Sequence, residues 1–330
     1  MRILLIILVC FLIFSGCEAK KTVDVPKVTI QETPEVSSAE DEIPYAPNIE
    51  YSRGEINMRR DMLCLMMAYP DFIKGVYKDA GGIGYIVMNS GQKIAYDDLK
   101  NKSYDKKLES ADLEDMLHQI YPLNDIDGLM EQDYDPGRIR QYILLNEVYG
   151  KSEQQVNKNL ENVRAGNKNL SFNKNNKASE QLREVFSEIS VLVDNNKSIY
   201  AFVFPVNGTF NYRVIAGTSQ LSPHSFGIAI DLRSDKRDYW RWATREQGQE
   251  RISQYPREVV RIFEKHNFIW GGKWGHFDIL HFEYRPELII KAKYYVEDYE
   301  MLQPWYYGFP SDEAEVREFI DIIENGLGSN

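Results

Sequence analysis

The sequence predicts an α+β fold: a small antiparallel sheet with flanking helices in the C-terminal half, preceded by a mainly helical region with one short hairpin. Three observations carry this reading. Apolar residues recur at helical spacing in Leu182, Val185, Phe186, Ile189, Leu192 and Val193, and again in Val316, Phe319, Ile320 and Ile323. Short strand-like runs cover residues 199–204, 209–215, 228–232 and 277–284, and the first two flank Asn207-Gly208, a hairpin signal. Helices and strands therefore fall in separate runs, unlike the alternation of a doubly wound parallel sheet. A chain of 330 residues with 43% hydrophobic and 12% aromatic content has enough material for a real core, in one large or two small domains. Its 39 Lys and Arg stand against 50 Asp and Glu, a net charge of −11. That balance argues against a nucleic-acid binder, which needs clustered cations to displace phosphate counterions.

Taken in order, residues 1–16 read as an export signal: Met1-Arg2, an apolar run over residues 3–14, then Ser15 and Gly16. Twelve apolar residues fall short of the ~20 that cross a bilayer as a helix. Phe14-Ser15-Gly16-Cys17 resembles a bacterial lipoprotein lipobox, with Phe14 at a position usually held by Leu. The resemblance implies cleavage before Cys17, acylation of that cysteine, and a cell-envelope protein anchored by lipid and facing the periplasm or cell wall. More than one acyl chain gives stable attachment. Cys10 would leave with the signal and Cys64 would remain without an intramolecular disulfide partner. Residues 17–55 read as a disordered tether, with Pro26, Pro34, Pro44 and Pro47 among Ser, Glu, Lys and Thr. A flexible coil of that size spans about 30 Å root-mean-square.

Residues 56–177 form the mainly helical region, whose role the sequence leaves open. Ser110 is placed to cap a helix striped by Leu113, Met116, Leu117 and Ile120, and Asp135-Pro136 to open another that Gly150 closes. Residues 83–88 and 92–96 flank Asn89-Ser90-Gly91 as a short hairpin. The Asn- and Lys-rich residues 157–177 read as an exposed or mobile divider. Residues 178–330 then form the second domain, with a helix over residues 256–266 and a last helix opened by Ser311 and closed by Gly326.

Four of the five His lie between residues 224 and 281. Imidazole and carboxylate ligands suit Zn²⁺, and a catalytic zinc keeps three protein ligands and one open position. His224, Asp231 and His281 offer such a set. His224 and Asp231 are an odd number apart and would face opposite sides of one continuous strand, so the reading needs a break, for which Gly227 is placed. Asp278 and His281, three apart, need a bulge or turn. On the residues alone, a metal site and a structural role for these side chains both stand.

The pattern Ser222-x-His224-x-x-Gly227-x-Ala229-x-Asp231, followed by Trp270-Gly271-Gly272-x-Trp274 and Asp278-x-x-His281-Phe282-Glu283, resembles the zinc D-alanyl-D-alanine carboxypeptidase and L-alanyl-D-glutamate endopeptidase family, over residues 178–285. The resemblance implies a hedgehog/DD-peptidase-like fold and a zinc peptidase acting on the peptide stems of peptidoglycan. It implies that His224, Asp231 and His281 bind zinc and that Asp278 is the catalytic base, where many carboxypeptidase members carry Glu. Family members also use an upstream Arg to stabilise charge on the substrate carbonyl, and Arg213 is the candidate here. His276 stands as a strand or surface histidine, and Glu283 receives no role. The competing reading is a non-catalytic envelope lipoprotein that uses the same fold to bind wall peptides or a protein partner.

Overall fold

The computed structural model describes residues 51–296 and 304–328, all within one compact unit. The signal, Cys17 and nearly all of the expected tether lie outside the described residues. The fold is mixed α+β, with three small antiparallel sheets among many helices.

α1 (Arg53–Ala68) begins inside the segment expected as tether. The Ser52 hydroxyl accepts from the Glu55 N–H, and the helix then buries Met62, Leu63, Cys64, Leu65 and Met66. β1 (Ile73–Lys78), β2 (Gly84–Met88) and β3 (Lys93–Ala95) form an antiparallel meander, so the expected hairpin at residues 83–96 gains a third strand. Next come α2 (Tyr104–Glu109) and α3 (Leu113–Leu117). Ser110 terminates α2 rather than opening α3, which starts from a capping box between Asp112 and Asp115. Asp135-Pro136 lies in a turn and opens no helix. α4 (Tyr142–Tyr149) starts from Gln141 and closes at Gly150, as expected.

The polar residues 157–177 are an ordered part of the fold. After α5 (Glu153–Asn159), β4 (Leu160–Ala165) and β5 (Lys168–Asn173) pair in full register around a two-residue turn. Val163, Ala165, Leu170 and Phe172 alternate inward at the strand period. The Asn and Lys residues on the other face conceal that alternation in the sequence.

The expected helix at 182–193 is α6 (Ala178–Asn195), with its predicted stripe inward except for Leu192, which is partly buried. The expected hairpin about Asn207-Gly208 does not form. Residues 199–204 instead put Ile199 and the short helix α7 (Tyr200–Val203) into the core, where Ile199 and Val203 are one helical turn apart. Pro205, which has no N–H to give a ladder, follows at once. Asn207 and Gly208 pair with the backbone of Asp231.

The last sheet has the order β6 (Ala229–Asp231), β8 (His281–Tyr284), β7 (Phe268–Trp270), antiparallel throughout. In chain order, α8 (Arg245–Gln254) and α9 (Arg257–Lys265) come between β6 and β7, and α10 (Pro286–Tyr294) follows β8. α11 (Ala314–Leu327) starts from Glu313 and ends at Gly328, two residues beyond the expected Ser311 and Gly326 limits. Phe263 stacks on Phe282 at 4.0 Å between centroids, joining α9 to the sheet, so the strand that carries His281 is backed by core.

Candidate metal centre

Strand register brings two of the expected ligands together. Asp231 ends β6 and His281 begins β8, and the two are directly paired across the ladder. His224 arrives from a 3₁₀ turn over Pro223–Phe226, after which Gly227 takes φ +68° and feeds the chain into β6. The left-handed glycine is the break that the odd spacing required. Its N–H bonds the His224 carbonyl, and a Cβ there would meet Leu160 Cδ2 at 2.7 Å.

The Asp231 carboxylate lies 3.2 Å from His224 Nε2 and 3.0 Å from His281 Nδ1. One donor atom from each of the three residues falls within 4.8 Å of the others. The far nitrogens are also occupied. His224 Nδ1–H donates to the Thr209 carbonyl, which turns Nε2 toward Asp231. His281 Nε2 faces the Glu283 carboxylate at 3.6 Å, the distance of an ion pair and not of a hydrogen bond. Two imidazole nitrogens and one carboxylate, with the imidazoles oriented by outer groups, form a donor set that fits zinc.

Charges inside this cluster hold one another. Burial pushes the Asp231 carboxyl up, but His224 and His281 outweigh it and keep it well below the usual carboxylate range. Burial alone would lower His281, yet the hydrogen-bonded Asp231 and the nearby Glu283 hold it up at about 10. Asp278 goes the other way: burial pushes its carboxyl up to about 7, with His281 and His224 opposing and Asp231 reinforcing. Its backbone is fixed on three sides, by Asp278 N–H to Gly271 O, His281 N–H to Asp278 O, and an antiparallel bridge to Tyr239. Gly271 leaves no room for a side chain, because a Cβ would lie 2.5 Å from the Asp278 carbonyl.

Arg213 is placed differently. Its backbone is stitched to the His224 turn through Ser225 Oγ and Ser222 N–H, while its side chain is exposed and its guanidinium contacts the Val214 carbonyl at 3.4 Å.

Glu283 is the residue that the sequence reading left without a part. It is fully buried and receives a two-pronged contact from Arg140, Nε at 2.9 Å and Nη2 at 2.6 Å, with Arg285 Nη1 at 3.3 Å. Burial raises its carboxyl, but Arg140 dominates and keeps it far below the usual range. The signal was present: His281 and Glu283 are two apart on one strand and so share a face. Arg140, 143 residues away, has no comparable signal. His276 is also more than a surface residue. Its Nδ1 lies 2.7 Å from Asp135, whose side chain is fully buried, and its ring lies 4.6 Å from that of Trp240.

With this geometry in place, one comparison bears on identity. Residues 216–284 match the model of the D-alanyl-D-alanine carboxypeptidase family. The match spans about a fifth of the chain and runs from just before the His224 turn to the end of β8, so it supports a peptidase of this family for the segment that holds the cluster. No curated protein and no solved structure matches the chain.

Proposed function

We propose that the chain is a zinc peptidase that hydrolyses peptide bonds in the stem peptides of bacterial peptidoglycan, of the D-Ala-D-Ala carboxypeptidase or L-Ala-D-Glu endopeptidase type. The observation that carries the reading is the convergence of His224 Nε2, His281 Nδ1 and the Asp231 carboxylate beside a half-buried Asp278. Those three residues would hold the zinc, which supplies Lewis acidity and acidifies water at neutral pH. Asp278, with a carboxyl pushed up to about 7, takes the proton of the attacking water on a carboxylate oxygen and returns it to the leaving amine. Arg213 opposes the negative charge that develops on the scissile carbonyl, its exposed guanidinium leaving a single 3.4 Å contact with the Val214 carbonyl to meet substrate. Delivery to the envelope through a lipidated Cys17 belongs to the same proposal, because it puts the body beside its polymer.

Metal analysis and digestion of purified peptidoglycan test this together. The expected results are about one zinc per chain, lost in His224→Ala, and products whose masses show loss of one terminal D-Ala or release of peptides lacking L-Ala. Asp278→Asn should retain zinc and lose about 10²–10⁴-fold in kcat, the range for a general base. A folded wild type that takes up no zinc, or that leaves the polymer unchanged, overturns the proposal.

A further inference from the structure

The segment Arg233-Ser234-Asp235-Lys236-Arg237-Asp238-Tyr239-Trp240-Arg241-Trp242-Ala243-Thr244-Arg245 takes no part in the chemistry above, yet it borders it. Tyr239 bridges the backbone of Asp278, and Trp240 N–H bonds the carbonyl of Phe277. Its composition is unlike that of the molecule: five Lys and Arg against two Asp, in a chain of net charge −11. Both Asp are committed, Asp238 to Arg251 of α8 at 2.7 Å and Asp235 to the strap's own Arg237 at 2.9 Å, which leaves Arg233, Lys236, Arg241 and Arg245 as the cations with no carboxylate partner among the described residues. The strap therefore presents positive charge.

It also presents an indole. Trp242 is 68% exposed and stands edge-on to Tyr239 at 5.1 Å between centroids. The strap is held at its middle and its end. Buried Asp238 pins it to α8, and a capping box between Thr244 and Gln247 fixes the finish. In the middle, Trp240 packs on His276, which buried Asp135 holds. Arg241 lies over the Trp240 ring at 5.0 Å. The exposed aromatic face is thus pre-organised before any ligand arrives.

Resting on the peptidoglycan reading, we infer that this strap is a glycan subsite, where Trp242 stacks on an amino-sugar ring while Arg241 and Lys236 face the carboxylates of the attached stem peptide. An aromatic face suits the C–H-rich side of a pyranose, and cations beside it suit a glycopeptide that is polar, anionic and continuous with the scissile peptide. The strap's place beside Asp278 gives that continuity.

Two measurements on the full chain separate this inference from the reading beneath it. Tryptophan fluorescence is titrated with the sugar-only disaccharide N-acetylglucosaminyl-N-acetylmuramic acid, which needs no catalysis. Saturable binding, weakened about tenfold or more in Trp242→Ala, is expected, and no saturable response overturns the subsite whether or not the enzyme is active. Hydrolysis of a disaccharide-peptide is then compared with that of the same peptide without sugar. The wild type should favour the sugar-bearing substrate in kcat/KM, and Trp242→Ala should shrink that preference about tenfold. An equal loss on both substrates, or on neither, refutes the inference. A strap that serves instead as a protein-docking surface would give that last pattern. Failure of the wild type to cleave either substrate counts against the peptidase proposal alone.

Discussion

Asp135 shows how one buried carboxylate can organise the side chains around it. Its oxygens accept from the Tyr104 hydroxyl, from the His276 backbone N–H at 2.9 Å and from His276 Nδ1 at 2.7 Å, with Arg138 at 3.4 Å. Burial raises its carboxyl, but Tyr104, the His276 backbone and Arg138 outweigh it and leave it below the ordinary value. A carboxyl depressed on folding contributes stability above its unfolded pKa and loses it as pH falls through the folded one. Asp135→Asn keeps the shape and removes the charge. At neutral pH it should cost about 2 kcal/mol, the scale of hydrogen bonds to an ionised group. The gap from wild type should narrow as pH falls from about 5 toward 3, across the unfolded aspartate pKa near 3.9. Urea unfolding of both proteins along that series measures it, and a gap that widens in acid would contradict the assignment.

Among the elements, the turn from His224 into β6 decides whether the cluster exists. A 3₁₀ turn, one left-handed residue and a three-residue strand carry His224 and Asp231 to the same side. Gly227→Ala must adopt φ +68° and push its Cβ into Leu160 Cδ2 at 2.7 Å and the Asn173 backbone nitrogen at 3.3 Å. About 1–3 kcal/mol of stability should be lost by that strain and overpacking. Zinc affinity should fall as well, because the same N–H ties the turn to His224, and titration against a chelator reads it out. Much of this element was legible: the odd spacing demanded a break, and a glycine stood where one was needed. The same kind of local reading failed at Asn207-Gly208, where a turn dipeptide pairs with Asp231 because Ile199 and Val203 gain more from a helical turn in the core. It failed at residues 157–177 too, where a polar outer face hid Val163, Ala165, Leu170 and Phe172. Arg140 lay beyond local reading altogether, since only the folded chain brings it to Glu283.

For the molecule as a whole, the residues before the matched family segment are built into the site's support. Tyr121 donates to Glu264 at 2.6 Å and accepts from the Trp270 N–H at 3.0 Å. Buried Lys273, paired with Glu264 at 2.6 Å, donates to the carbonyls of Pro122 and Asn124, and Trp274 Nε1 donates to that of Pro136. Arg140 neutralises Glu283, and Arg285 donates to the Gly137 carbonyl. Tyr69, just past α1, donates to buried Glu287 at 2.7 Å, and α1 also packs on α10 and α11. Removing residues 1–177 would strand Glu283, Arg285, Glu287 and Lys273 with buried polar atoms facing lost partners. Breaking one buried pair by deleting a partner costs about 3–5 kcal/mol, and a domain's whole stability is about 5–15 kcal/mol. Residues 178–330 expressed alone should therefore show no cooperative thermal transition and rapid proteolysis, whereas residues 48–330 should melt in a single transition. Circular dichroism and limited trypsin digestion compare the two directly. A shorter chain that folds cooperatively and takes up zinc would show the earlier region to be an accessory; loss of both would show that residues 178–330, with the family segment inside them, are completed by residues 48–177.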